Sequence, residues 1–298
     1  MSIEPGEREK SDLQRLLCMA RDEDLGAGDV TSAMLPATLT ASARFVAREP
    51  LVVCGLALLE TIAEGYDPGI RTRVHVVEGQ SVGSGEALAE WSGPARSILS
   101  AERVALNFLQ HLCGIATVTR RYLEAISGSN AGIYDTRKTT PGWRHLEKYA
   151  VRCGGGRNHR AGLYDAVLVK DNHLAALSSA GEDDPLSALS AALSKSRIGL
   201  SEGGFVEVEV DTLEQLARAL TLDVDVILLD NMAPDKLRRA VEMRDEAAST
   251  RRIELEASGG ITLDTVSAVA KTGVDRISVG ALTHSAKAVD IALDIAFG

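Results

Sequence analysis

The sequence predicts an α/β barrel preceded by an α+β segment, and two observations carry that expectation. Short apolar runs end at Tyr134, Val169, Val210, Leu229, Ala257 and Val279, with helical segments between most of them, the pattern of parallel strands joined by crossover helices. Each run is followed at once by polar residues or glycine: Asp135-Thr-Arg-Lys, Lys170-Asp-Asn-His, Asp211-Thr, Asp230-Asn-Met, Ser258-Gly-Gly-Ile and Gly280-Ala-Leu-Thr-His. Polar residues at the C-terminal ends of successive parallel strands converge on one face of a barrel, where active sites of that architecture sit. The competing architecture, an open Rossmann-like sheet, lacks its GxGxxG turn after an early strand.

Taken in chain order, residues 9–21 space their apolar side chains as an amphipathic helix. Residues 42–54, 72–78 and 86–92 alternate or cluster Val, Leu and Ala between glycine turns such as Glu78-Gly-Gln-Ser-Val-Gly-Ser-Gly85, which reads as strands. A helical stretch from about Ala95 to Ile126 follows, with a break expected near Cys113-Gly114. Beyond the six strands of the barrel, the glycine run 154–156 leaves room for a seventh or eighth. The polar segment 175–204 reads as a helix flanked by surface loops. Domain boundaries are expected at 1–114 and 115–284, with a C-terminal helix over 285–298 joining the first domain.

Composition restricts the setting. A chain of 298 residues with 45% hydrophobic content can bury a full core. No stretch approaches the roughly 18 uninterrupted apolar residues of a membrane span, and the first ten residues are too polar for a signal peptide, so a cytoplasmic location without membrane partners is expected. A net charge of -10 argues against a nucleic-acid surface, which is broadly basic. Cys18, Cys54, Cys113 and Cys153 form no CxxC pair and sit among apolar or glycine neighbours, the pattern of buried free thiols rather than zinc ligands or disulfides.

Against that acidic background, Arg137 to Arg160 holds seven Lys or Arg and one acid, Glu147. A local reversal of sign marks a pocket for small, highly charged anions. Guanidinium grips carboxylate bidentately and lysine serves phosphate as a point charge, so Arg137, Lys138, Arg160 and Lys170 suit substrates carrying both groups. Arg144, Lys148 and Arg152 fall at helical spacing and read as one solvated helix face. His159 is open to two readings, donor to an anion or, as isolated histidines more often are, structural hydrogen-bonder; His75, His111 and His145 read as structural. Ser258, Gly259 and Gly260 after one strand and Gly280 after the next offer unobstructed backbone N–H groups for a phosphate. Glu207 and Glu209 alternate onto one side of their strand, so geometry does not choose between them. With Asp230, an inward carboxylate there would bind Mg²⁺ or, alternatively, pair with Lys138 or Lys170.

These residues fall in motifs that resemble the quinolinate phosphoribosyltransferase family, the carboxylating nicotinate-nucleotide pyrophosphorylases of NAD biosynthesis. The matching stretches are Glu23-Asp-Leu-Gly-Ala-Gly-Asp-Val-Thr-Ser32, Ala101-Glu-Arg-Val-Ala-Leu-Asn107, Gly114-Ile-Ala-Thr117, Asp135-Thr-Arg-Lys-Thr-Thr-Pro-Gly142, Asn158-His-Arg160, Leu168-Val-Lys-Asp-Asn-His173, Leu229-Asp-Asn231, Ser258-Gly-Gly-Ile261 and Val279-Gly-Ala-Leu-Thr-His-Ser285. The resemblance implies a homodimer, each chain with an N-terminal α+β open sandwich and a seven-stranded, incomplete α/β barrel. It implies transfer of phosphoribosyl from 5-phosphoribosyl 1-diphosphate to quinolinate, with Mg²⁺ and loss of CO₂. By motif, Arg103 reaches across the dimer interface, and Arg137, His159, Arg160 and Lys170 surround the dicarboxylate. Lys138 contacts the donor, Glu209 and Asp230 its metal and ribose side, and Ser258, Gly259, Gly280 and His284 its 5-phosphate; the family pattern thereby selects Glu209 over Glu207.

Cys113, where serine is frequent, and Trp143, where leucine is usual, depart from the family pattern and bear on packing. Three other readings compete. A phosphoribosyltransferase of the same fold could act on nicotinate or resemble the relative associated with molybdate transport. A barrel aldolase would use Lys138 or Lys170 as a Schiff base, and a phosphate-ligand sensor would bind the donor without turnover.

Overall fold

The computed structural model describes residues 3–170, 173, 176, 189, 204–247 and 252–298; most of the polar segment 175–204 lies outside them. In chain order the elements are α1 (Glu7–Leu25), β1 (Thr40–Ala47), β2 (Leu51–Val52), α2 (Leu59–Tyr66), β3 (Arg71–Val74), β4 (Ser81–Val82), β5 (Ala87–Pro94), α3 (Ala95–Ala125), β6 (Gly132–Tyr134), α4 (Arg144–Cys153) and β7 (Val167–Val169). After the segment outside the description come β8 (Val206–Val210), α5 (Leu213–Ala219), β9 (Val226–Asp230), α6 (Pro234–Glu246), β10 (Glu254–Ser258), α7 (Leu263–Ala270), β11 (Arg276–Ser278), α8 (Ala281–His284) and β12 (Ile291–Phe297).

The chain divides into two compact units: Met1–Arg120 with Lys138–Gly156 and Ala281–Gly298, and Arg121–Arg137 with Arg157–Gly280. The division is interleaved rather than contiguous, because α4 and the C-terminal strand belong to the first unit.

In the first unit, β12, β1, β5 and β3 form an antiparallel sheet in that order. Alternation in β1 buries Ala41, Ala43, Phe45 and Ala47, and Phe45 meets the buried Trp91 edge to face at 4.9 Å. The C-terminal segment is a strand and not the expected helix. Ile291, Leu293, Ile295 and Phe297 recur with a period of two, and they pair with Ala47, Phe45, Ala43 and Ala41 of β1. That pairing satisfies the backbone of both strands, which a helix there would leave undone.

The helix α3 runs unbroken through Cys113-Gly114. Glycine there serves close approach instead: a Cβ on Gly114 would lie 2.1 Å from the Lys287 carbonyl oxygen. Gly114→Ala is therefore expected to destabilise the protein by about 1–3 kcal/mol, the usual cost of overpacking, as read from the midpoint of urea unfolding; an unchanged midpoint would show that the 287 segment moves freely.

The face Arg144, Lys148, Arg152 is not solvated. Lys148 is buried, Arg152 donates to Glu9 at 2.8 Å and Arg144 to Thr139 at 3.1 Å, because α4 packs against α1. Trp143 stacks on Phe108 with ring centroids 4.7 Å apart and meets His111 edge on. Cys113 fills the role a serine would, its Sγ bonding both the N–H and the carbonyl of Cys54 at 3.2 Å. Of the four cysteines, Cys18 is exposed rather than buried.

The second unit holds a parallel sheet in the order β6-β11-β10-β9-β8-β7. Its strands end at or within one residue of the six positions read from the sequence. Capping explains where the intervening helices begin: Thr212 and Gln215 close a capping box on α5, Thr262 and Thr265 one on α7, and Pro234 opens α6. Beyond β6, Arg157 makes an isolated parallel bridge with Tyr134, just after the glycine run. Among the described residues, no helix is long and apolar enough to cross a membrane.

Candidate active site

Register places the site. Parallel partners point to the same side of a sheet, and Glu207 pairs with Val226, Glu209 with Leu228, Glu256 with Leu228, Ser258 with Asp230, and Glu256 with Arg276. Glu207, Glu209, Asp230, Glu256, Ser258 and Arg276 therefore share one face. Leu168 pairs with Glu207, so Lys170, two residues on, continues the same side. Along β8 the two glutamates differ in depth: Glu207 is 0% exposed, whereas Glu209, next to the strand end, is half-buried.

The 158–160 loop is pinned from below. Asp135, fully buried just past β6, accepts the His159 N–H at 2.8 Å and the Asn158 side-chain amide at 2.6 Å. His159 then spends both ring nitrogens within the protein. Its Nδ1 accepts the Arg160 N–H at 2.8 Å, so the ring proton sits on Nε2, which faces Glu207 Oε2 at 2.9 Å and Glu256 Oε1 at 3.6 Å. The Nδ1 contact also holds the Arg160 backbone in place. Burial pushes the carboxyls of Glu207 and Glu256 well above the usual range, and Glu207 raises Glu256 further.

Arg160 is itself buried, with Nη1 donating to the Ala166 carbonyl at 3.3 Å. Burial first and the neighbouring Arg137 guanidinium second lower its pKa. Two guanidiniums that repel one another in a partly desolvated place would be relieved by a multiply charged anion.

At the other strand ends, Asn231 donates its N–H to the Ser258 carbonyl at 2.8 Å. Gly259 packs so closely there, with φ +97°, that a Cβ would meet Asn231 N at 3.0 Å. Among described non-glycine residues only Asn231 has positive φ, 52°, a conformation that tends to collect at functional sites. Gly280 follows β11, where Val279 N donates to the Tyr134 carbonyl at 2.9 Å.

Arg137, His159, Arg160, Lys170, Glu209, Asp230, Ser258, Gly259 and Gly280 all belong to the second unit, while Arg103, Lys138 and His284 belong to the first. There, Arg103 is exposed on α3, the Lys138 carbonyl accepts from Thr283 at 2.7 Å, and His284 Nδ1 meets Ser285 Oγ at 2.6 Å. Lys138 and Lys170 are both exposed, so the desolvation that activates a Schiff-base lysine is missing. Sequence reasoning passed over three residues that organise the site: Asp135, Glu207 and Glu256. Alternation had already put Glu207 on the correct side, but depth along the strand is not written in a period of two.

Comparison with known proteins identifies the family. Residues 29–113 match the quinolinate phosphoribosyl transferase N-terminal domain, and residues 115–294 match the C-terminal domain. The nicotinate-nucleotide pyrophosphorylase (carboxylating) of Mycobacterium leprae is 44% identical over 281 residues, covering 93% of this chain and 94% of that protein. A quinolinate phosphoribosyltransferase (decarboxylating) of Nicotiana glauca is 39% identical over 305 residues, covering 98% and 85%. The solved nicotinate-nucleotide pyrophosphorylase of Francisella tularensis superposes with a TM-score of 0.86 at 34% identity, covering 98% of this chain and 99% of that one. The chain belongs to the quinolinate phosphoribosyltransferase family.

Proposed function

We propose that this chain transfers the phosphoribosyl group of 5-phosphoribosyl 1-diphosphate to the ring nitrogen of quinolinate, releasing diphosphate and CO₂ and leaving nicotinate mononucleotide, a step of NAD biosynthesis in the cytoplasm. The observation that carries this reading is the juxtaposition of Arg137 and Arg160 in a unit whose sheet aligns Glu209 and Asp230 on one face.

The two guanidiniums, with Lys170 beside the adjacent strand end, hold the two carboxylates of the acceptor and fix its nitrogen for attack. Asp135 and His159 position Arg160. The N–H groups around Ser258, Gly259 and Gly280 take the 5-phosphate of the donor. Glu209 and Asp230 are half-buried carboxylates at neighbouring strand ends, a hard-oxygen donor set that fits Mg²⁺ with several waters retained. When bound, Mg²⁺ would neutralise the departing diphosphate. The same carboxylates shelter the oxocarbenium-like ribose as diphosphate leaves. Attack by the pyridine nitrogen makes the ring cationic; loss of the 2-carboxylate as CO₂ leaves its electron pair on the adjacent ring carbon, stabilised by the positive nitrogen until that carbon takes up a proton from solvent, so no organic cofactor is needed.

The isolated bridge of Arg157 with Tyr134 marks the place of a seventh strand in an incomplete barrel. Lys138 and His284 serve the donor, and Arg103 reaches the acceptor of a partner subunit in a homodimer; these roles rest on the motifs that contain them. Arg103→Ala is expected to lose quinolinate turnover alone, and to regain part of it when mixed with inactive Asp230→Asn subunits under exchange. Absence of complementation, with exchange shown by mass, would place Arg103 outside a shared site.

Competition binding tests the acceptor. Quinolinate should displace a fluorescent dicarboxylate from the protein at concentrations about 10-fold or more below nicotinate, one extra charge-assisted pair being worth ~1.5–3 kcal/mol. Equal displacement by nicotinate would assign a monocarboxylate acceptor.

A further inference from the structure

Outside every residue assigned above, Cys54, Glu78 and Cys153 meet within the first unit, and their Sγ and carboxylate atoms lie within 4.8 Å of one another. We propose that these three side chains form a site for a thiophilic divalent cation of the zinc and cadmium type.

Donor chemistry selects that class, because thiolate sulfur takes zinc-like ions in preference to Mg²⁺ or Ca²⁺. A tetrahedral zinc site with metal–sulfur bonds of 2.3 Å and metal–oxygen bonds near 2.0 Å spaces its ligands about 3.5–3.8 Å apart. Cys153 Sγ already stands 3.8 Å from Glu78 Oε2. Closing the remaining distances requires shifts of about 1 Å at most.

The surroundings hold the three ligands in place. Backbone N–H groups of Gly55 and Ala57 donate to the Glu78 carboxylate at 2.9–3.1 Å, fixing its orientation. Gly79, with φ +78°, lets the chain pass so close that a Cβ would lie 2.9 Å from the Cys153 carbonyl oxygen. Arg120 ties the same two segments together, donating to the carbonyls of Gly154 at 2.9 Å and Gly79 at 3.3 Å. The Tyr149 hydroxyl, beside these ligands, donates to the Ile3 carbonyl at 3.3 Å. Cys113 stands apart from the set, its sulfur engaged by the Cys54 backbone.

Cys54 and Cys153 are buried, and the Cys153 thiol donates toward Glu78 Oε2. Uptake therefore exchanges two S–H protons for two metal–sulfur bonds, with no change of oxidation state. The ion would cross-link three segments distant in sequence and act as a structural tie. No CxxC spacing announces it, because each ligand comes from a different segment.

The test uses the full chain with Cys18→Ser, which removes the exposed thiol, reduced and freed of metal by chelator. Cd²⁺ is supplied by prolonged titration and, separately, during expression. Expected are one Cd²⁺ per chain by elemental analysis, an ultraviolet thiolate-to-metal charge-transfer band, two protons released per ion and a raised Tm. Cys54→Ala should weaken binding on the order of 100-fold or more, whereas Cys113→Ser should keep the band. Should Cys54→Ala fail to fold, Glu78→Gln, which keeps an acceptor for Gly55 and Ala57, takes its place with the same expected loss. No stoichiometric uptake by the parent chain, or equal uptake by the ligand variant, would overturn the site; loss of the band in Cys113→Ser would overturn the ligand set.

Discussion

Arg160→Lys is expected to lower kcat/KM for quinolinate by about 10²–10³-fold while leaving KM for 5-phosphoribosyl 1-diphosphate within a factor of about two. The charge is retained, so a site that merely attracted anions through space would lose little. The larger effect follows from geometry. The guanidinium is a planar fork that meets a carboxylate with two parallel hydrogen bonds, and lysine offers only a point charge at that place. Arg160 cannot re-aim to compensate, because it is buried, its N–H is engaged by His159 Nδ1 at 2.8 Å, and its Nη1 donates to the Ala166 carbonyl. Losing one partner of a buried, hydrogen-bonded charge pair costs about 2–5 kcal/mol, which brackets the predicted range. Steady-state kinetics with each substrate varied in turn reads the effect directly. A loss of less than about threefold in kcat/KM for quinolinate would take Arg160 out of the acceptor site.

Asp135→Ala should destabilise the protein by about 3–5 kcal/mol and abolish most activity without touching substrate. The carboxylate is fully buried and receives two donors, the His159 N–H and the Asn158 side chain, at 2.8 and 2.6 Å. Hydrogen bonds to a charged group contribute about 1.5–3 kcal/mol each, and the donors left behind remain buried. Asp135→Asn should cost less, since one acceptor oxygen survives. Urea unfolding of both variants gives the order, with alanine the more damaging. A stable Asp135→Ala protein with normal kinetics would show that the 158–160 loop holds its shape without this anchor, and that Asp135 does not position Arg160.

The parallel sheet was legible because its strands are short, strongly apolar runs with polar residues directly after them, a signal that local sequence carries by itself. The concentration of cations was legible as well, since Arg137, Arg160 and Lys170 stand out against an acidic chain. What failed was of another kind. Gly114 read as a helix break because glycine weakens helices in isolation, yet its position is set by the Lys287 carbonyl, far away in sequence. The C-terminal strand was missed although Ile291, Leu293, Ile295 and Phe297 alternate cleanly, because an alanine-rich segment also suits a helix until β1 supplies a partner. Lys148 looked solvated because helical spacing says which residues share a face and not whether α1 covers it. The contacts of the His159 ring depended on Glu207 and Glu256, two carboxyls on strands β8 and β10, either side of β9, whose depth only the folded chain defines.

The central claim is that two carboxylates are held and one of them leaves. Quinolinate carrying ¹³C in its 2-carboxylate, incubated with the protein, 5-phosphoribosyl 1-diphosphate and Mg²⁺, should yield labelled CO₂ in equal amount to unlabelled nicotinate mononucleotide, with no labelled CO₂ when the donor is omitted. Label retained in the nucleotide, or nicotinate converted to the same nucleotide while quinolinate is not, would contradict the account.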